Sequence, residues 1–421
     1  MRTSLIPTSG FGRNVLTLMT GSIIAQAIPI AVSPVLTRLY TPDDFGALTL
    51  FVSIFAILSS ISTLRYELAI IQPDRDEDAV ALLALSLVIS ASLGVVLMIL
   101  AVVFGDRLVS WLGIRGGAWM YFIPVCVFAG GAIQAISYWH SRHQRFQRLS
   151  HGKIVQGIGT VAIQCGAAIV PLGPGLITGY VGGLCTSLYA LCRGTWKNEK
   201  AVLGNLSLDA VRINAHTYSK FPKYSVFGAF ADNASIHMPV FMLTKFFDTH
   251  STGIFGLTFR ILNLPMTLIA SSLSQVLYQK IAVMQHSEPD AVRGLIVKIF
   301  MLLLGVMAPV IAIVVFFGEP LFAFVFGEPW RAAGSMAGIL VIAVSIRFAV
   351  NPLSGVLALN QNIRLGVLWQ TIYFITITTT LYTFRNESLD FFLKVFVAHE
   401  VLLYSLYLYF ILRGAKLGKR D

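Results

Sequence analysis

The chain has 421 residues, of which 56% are hydrophobic and only 12% charged. Ordinary soluble domains carry about 25% charged residues, so these charges are too few to cover a water-facing surface, and the composition is that of a polytopic helical membrane protein. The net charge of +11 requires no nucleic-acid partner, because basic residues gather in the cytoplasmic loops of membrane proteins and set their topology.

The first apolar run follows Arg2 and Arg13 and extends from about Val15 to Leu36. It is too long for the apolar region of a signal peptide and fits a spanning helix of roughly 20 residues. It is the first of about twelve spans on that rule. The second covers Phe45 to Leu64 and ends in TLRYELAIIQPDRDEDA, residues 63–79. Arg65 and Glu67 interrupt this run before its apolar character ends. Residues two apart do not face each other on a helix. Each therefore looks to another span, to lipid headgroups, or to a substrate arriving from the cytoplasm. Arg65 can also serve as a snorkelling anchor.

Further spans centre near Ala91, Val127, Val161 and Cys185, with PLGPG at 171–175 as a turn. Cys126, Cys165, Cys185 and Cys192 form no CxxC pair and have no histidine at metal-ligand spacing; they read as small core residues. The longest hydrophilic segment runs from Arg193 to about Tyr218. It divides the chain into residues 1–192, a linker 193–218, and residues 219–421. The spans of the second half centre near Ala234, Leu264, Val306, Val344, Ile375 and Leu402. Lys and Arg divide about three to one between alternate loops, which places both termini and the linker in the cytoplasm.

The halves carry signs of repetition. LTRLY (36–40) is followed by FGALT (45–49), and LTKFF (243–247) by FGLTF (255–259). An even number of spans per half makes such repeats parallel, with substrate expected between them. The first span of each half carries proline: Pro29 and Pro34 in one, Pro239 in the other. Interrupted helices in corresponding positions point to a binding region, and tolerated kinks are the other reading. The fold class expected is thus all-α, with two parallel six-helix bundles.

Few ionisable residues lie deep in spans. They are Asp232 and His237 in the seventh, Arg260 in the eighth, Arg347 in the tenth, and His399 and Glu400 in the twelfth. A central charge costs about 2.5–3.5 kcal/mol on insertion scales, so such groups pair or line water. At about 1.5 Å per residue, Asp232 lies about 16 Å from the cytoplasmic end of its span. Arg260 reaches a similar depth from the other side, so the two are expected to share a cavity. Arg347 sits deeper than Glu400. Two readings stay open: buried ion pairs that pin helices, or a hydrated cationic cavity. The acids are the candidates for proton or sodium coupling; no other cofactor and no metal is expected. Arginine keeps its proton and suits an anion. No GxxxxGK[ST] occurs, and no soluble portion is large enough for a glycosyltransferase site. The chain does not read as an enzyme.

Residues 36–87, LTRLYTPDDFGALTLFVSIFAILSSISTLRYELAIIQPDRDEDAVALLALSL, resemble the N-terminal region of bacterial polysaccharide flippases of the Wzx, or O-antigen translocase, type. FPKYSVFGAFADNASIHMPVFML and TGIFGLTFRILNLPMTLIASSLSQVLY resemble the seventh and eighth spans of that family. The resemblance implies a MATE-like fold, an inner-membrane location, and movement of undecaprenyl-diphosphate-linked oligosaccharide from the cytoplasmic to the periplasmic leaflet. It implies service to O-antigen, lipopolysaccharide or exopolysaccharide synthesis, with a polymerase and glycosyltransferases as partners beside membrane lipids. Arg65, Glu67 and Arg260 match positions characteristic of the family. Asp232, Arg347 and Glu400 rest on depth alone. All six are taken as candidate substrate-binding residues. The alternatives are a drug or cation antiporter of the same fold, a flippase for the peptidoglycan precursor, and a non-transporting scaffold of glycan assembly.

Overall fold

The computed structural model describes residues 10–113, 117–170, 174–203, 207–264, 273–274, 277, 280–281, 284, 289–355 and 363–417. These residues form fourteen α-helices joined by short turns and single turns of 3₁₀ helix. The chain begins with α1 (Gly10–Ala31), α2 (Ser33–Leu39), α3 (Pro42–Ser59) and α4 (Asp76–Leu112). It continues with α5 (Phe122–Arg142), α6 (Phe146–Ile169), α7 (Gly175–Leu203), α8 (Leu208–Thr217) and α9 (Lys220–Phe246). The remainder is α10 (Thr249–Leu262), α11 (Pro289–Phe326), α12 (Arg331–Val350), α13 (Ile363–Thr383) and α14 (Leu389–Leu417).

Among the described residues, eight stretches combine the length and apolarity needed to cross a membrane. The more polar α6, α9 and α13 have 24, 27 and 21 residues. At about 1.5 Å per residue they too exceed the roughly 30 Å of hydrocarbon. The eighth expected span opens with α10, and its continuation past Leu264 lies outside the described residues, as do Pro171–Gly173 of the PLGPG turn. The protein is an all-α, multi-pass membrane protein. Its lipid-facing side chains are correspondingly apolar: Val102 on α4 and Phe324 on α11 are 66% and 83% exposed.

Local chemistry sets the helix ends. Pro29 lies inside α1, and the helix is interrupted at Val32 before α2, which carries Pro34 in its first turn. Thr41 and Asp44 exchange hydrogen bonds across the first turn of α3 in a capping box. Asp76, Glu77 and Asp78 occupy the first turn of α4, where the helix dipole favours acids. Gly113, left-handed at φ 70°, ends that helix. Asp248 caps α10 by accepting from the Ser251 N–H.

Compactness divides the chain into two units. Unit 1 holds Met1–Tyr40 and Ala47–Asn233; unit 2 holds Thr41–Gly46 and Ala234–Asp421. The third spanning helix of each half is long, α4 having 37 residues and α11 having 38, in keeping with internal repetition. In unit 1, α7 runs through the hydrophilic segment as far as Leu203, and α8 follows. Tyr66 donates to the carbonyl of Ala215 at 2.8 Å, and Asn214 donates to Asp78 at 2.8 Å, tying α8 to the rest of the unit. Small residues bring helices together: a Cβ on Gly157 would stand 2.8 Å from the carbonyl oxygen of Ala25. In unit 2, α11 and α12 cross at Gly318 and Gly334 in the same way.

Candidate functional site

The LRYEL stretch is not helical where Arg65 sits. Leu64 and Arg65 are consecutive non-glycine residues in the left-handed region, at φ 48° and 66°. Such residues are uncommon and need surrounding structure to hold them. Tyr66–Ile71 then forms a 3₁₀ turn. This path gives Arg65 and Glu67 a geometry that an α-helix denies to residues two apart. Arg65 Nη1 lies 3.4 Å from Glu67 Oε1, contrary to the expectation that the two look away from each other. Thr63 Oγ1 donates to the other carboxylate oxygen of Glu67.

Their exposures differ sharply: the Arg65 side chain is 27% exposed and that of Glu67 is 1%. Arg65 Nε is buried and makes no hydrogen bond. A guanidinium offers five donors, and this one has not used them all. The turn is held from outside. Arg142 on α5 donates to the carbonyls of Pro73, at 2.5 Å, and Asp74, at 3.2 Å, and to Asp76 Oδ1 at 3.0 Å. Burial pushes the Tyr66 phenol above its usual range, which keeps it a donor to Ala215.

Arg347 and Glu400 meet in unit 2. Arg347, in the last turn of α12, donates from Nε to Glu400 Oε2 at 2.5 Å and from Nη2 to Tyr373 Oη at 2.5 Å. Tyr373, on α13, donates to Glu400 Oε1 at 2.6 Å and closes the triangle. His399 Nε2 lies 3.0 Å from Thr376 Oγ1, and its Nδ1 lies 3.7 Å from Glu400 Oε1. The guanidinium carbon stands 5.6 Å from the Phe259 ring centroid and 5.4 Å from that of Tyr404. Trp369 stacks on Tyr407 at 4.3 Å beside them. Arg347 is 5% exposed and Glu400 is fully buried. The network joins α12, α13 and α14.

Arg260 is exposed in the last turn of α10, in unit 2. Asp232 is exposed on α9, in the part of that helix that belongs to unit 1. Neither is without a partner. Of the six sequence candidates, Arg65 meets Glu67 and Arg347 meets Glu400. Tyr373 and Thr63 were not anticipated. A tyrosine in a span resembles packing, and a threonine before a charged turn carries no distinguishing signal. Among the described residues no cluster of His, Cys, Asp and Glu could hold a metal ion.

The chain matches the family described as "Polysaccharide biosynthesis protein" over residues 35–335, more than half its length. No curated protein matches it significantly. Among solved structures it is similar to the lipid II flippase MurJ in an inward closed conformation, with a TM-score of 0.75 and 10% identity, over 96% of this chain and 90% of that one. It is similar to an inward-facing MATE multidrug resistance transporter of the MOP superfamily, with a TM-score of 0.67 and 12% identity, over 96% and 95%. A MATE transporter of Vibrio cholerae gives a TM-score of 0.63 at 10% identity, over 97% and 95%. At these identities the likeness is one of fold. The chain belongs to the polysaccharide biosynthesis protein family and is built on the MATE-like transporter fold.

Proposed function

We propose that this protein moves undecaprenyl-diphosphate-linked oligosaccharide units from the cytoplasmic to the periplasmic leaflet of a bacterial inner membrane, by alternating access. Both termini and α8 lie in the cytoplasm, as the Lys/Arg bias indicates. The observation that carries the reading is the Arg65 turn in a chain of this family. A strained backbone holds a guanidinium that is 27% exposed and makes one 3.4 Å contact to Glu67, at the expected cytoplasmic end of a span. A diphosphate is the anion that a planar guanidinium contacts with two parallel hydrogen bonds. Glu67 holds Arg65 in place through the 3.4 Å contact and is itself held by Thr63.

Arg260 is the candidate for a second anion contact, and Asp232 is a further candidate substrate-binding residue. Arg347 and Glu400 support transport by fixing α12, α13 and α14, because their hydrogen bonds are already committed to each other and to Tyr373. The polar head crosses through the protein while the lipid tail stays in the bilayer. Coupling to protons or sodium would require an acid that is free to change its partner.

A strain lacking the protein tests the reading. The lipid-linked unit should still be made, remain in the inner leaflet and resist a membrane-impermeant glycosidase, while the surface polymer is lost. A drug exporter would leave the polymer intact. A polymerase would leave single units open to the glycosidase. Either outcome refutes the proposal.

A further inference from the structure

Helix α5 lays a column of residues along the Arg65 turn, all within unit 1. Its members stand four residues apart: Gly130, Gln134, Tyr138 and Arg142. Residues at that spacing share a helix face, and their partners follow in the same order. Gly130 packs on α3, where a Cβ would stand 2.7 Å from Ser59 Oγ and 2.9 Å from the Phe55 ring. Gln134 Nε2 donates to Ser59, at 3.2 Å to Oγ and 3.4 Å to the carbonyl oxygen. Tyr138 lies within electrostatic reach of Arg65 and Glu67. Arg142 closes the column on Pro73, Asp74 and Asp76.

The two middle members keep hydrogen-bonding capacity that the fold leaves unused. A glutamine amide has an acceptor as well as two donors, and a phenol both gives and accepts. Among the described residues nothing donates to the Gln134 carbonyl oxygen, and Tyr138 Oη makes no hydrogen bond. Both residues are partly exposed although they stand inside a span. Polar groups there are expensive against lipid and turn to the bundle interior or to water. The side of α5 that suits lipid is a different one. At about 100° per residue, the exposed Val125 and Phe128 lie opposite Gln134 and Ser137.

We propose that Gln134 and Tyr138 bind the sugar joined directly to the diphosphate. The Gln134 carbonyl oxygen accepts from a sugar hydroxyl, and the Tyr138 hydroxyl donates to an oxygen of the same ring. An amide and a phenol suit a hydroxyl-bearing ring, as a guanidinium suits phosphate. The order along the protein matches the order along the cargo. Tyr138 is beside Arg65, and Gln134 follows one helical turn on, about 6 Å away. The proposal rests on the flippase reading above.

Purified protein in detergent tests it with two probes: undecaprenyl diphosphate, and the lipid-linked unit extracted from a strain lacking the protein. The unaltered protein should bind the glycan-bearing lipid more tightly. Gln134→Met and Tyr138→Phe should each weaken that binding by about two- to tenfold, the effect of one lost hydrogen bond. Neither should change the affinity for undecaprenyl diphosphate. Arg65→Lys should weaken both lipids alike. Ser59→Ala removes the internal partner of Gln134 and should leave the preference for glycan intact; if it abolishes that preference as Gln134→Met does, Gln134 only braces α3. Equal affinity of the unaltered protein for the two lipids overturns the proposal, as does an equal loss for both lipids in the Gln134 and Tyr138 variants. Failure of the flippase reading has a different signature: the unaltered protein would bind neither lipid.

Discussion

Two Arg–Glu pairs in this protein have the same partners and opposite designs. Arg347–Glu400 is buried, with hydrogen bonds of 2.5–2.6 Å among three side chains from three helices. Arg65–Glu67 lies on one strained turn, its arginine partly open and its contact longer, at 3.4 Å. The first has its Nε and Nη2 committed to buried partners and can give little to a ligand without leaving a buried charge in apolar surroundings. The second keeps donors in reserve. The contrast teaches that a deep arginine is not by that fact a substrate contact. What matters is how many of its donors the protein has already used.

The largest expected effect breaks the buried pair. Glu400→Leu leaves Arg347 uncompensated, which costs about 3–5 kcal/mol. Membrane abundance and thermal stability in detergent should fall together. Adding Arg347→Met to the same chain should recover much of that loss, since apolar replacement of a whole buried pair is often tolerated. Normal abundance of the single variant with lost transport would instead make Glu400 a working residue.

Thr63→Val comes next. It removes the hydroxyl that donates to Glu67, and a buried acceptor left unsatisfied costs about 1–3 kcal/mol. Thermal unfolding should show the loss, and transport should fall as Arg65 loses its support. An unchanged midpoint and rate would mean that Glu67 finds another donor.

Arg65→Lys separates stability from transport. It keeps a positive charge beside Glu67, so stability should change by less than about 1 kcal/mol, as for a partly exposed pair. An ammonium cannot reproduce two parallel hydrogen bonds to phosphate. Loss of one charge-assisted bond, about 1.5–3 kcal/mol, slows export at least roughly tenfold at about 1.4 kcal/mol per decade. Equal export by Arg65→Lys returns this residue to the role of an interfacial anchor. The smallest effect is Arg331→Ala. Its 2.7 Å pair with Glu328 is exposed, and its loss should leave the thermal midpoint within the error of the measurement.

The fold was legible because hydrophobic length marks spans directly. The six-and-six spacing, the LTRLY and LTKFF repeats and the low charge all pointed to it. The hydrophilic segment after Arg193 was harder to read. Its lysines and glutamate are good helix formers in water, so polarity did not stop α7 before Leu203. The charged candidates stood out as interruptions of apolar runs, yet their partners did not. Leu64 and Arg65 carry no glycine to announce a left-handed turn, so the pairing of Arg65 with Glu67 could not be read from their spacing. The meeting of Arg347 and Glu400 depends on the relative depth of two helices, which uncertain span boundaries blur. Tyr373 joins them from a third helix, where an aromatic ring is ordinary packing.

The central claim is that the protein moves a diphosphate-linked glycan and that the open arginine serves this step. Purified protein in liposomes containing undecaprenyl-diphosphate-oligosaccharide tests both parts, with an impermeant glycosidase reporting how much glycan has become accessible. The account predicts that the unaltered protein exposes glycan that protein-free liposomes keep protected, and that Arg65→Lys does so much more slowly at equal protein content. Equal accessibility with and without protein would contradict the flippase assignment, and equal rates for Arg65 and its lysine variant would contradict the role given to the turn.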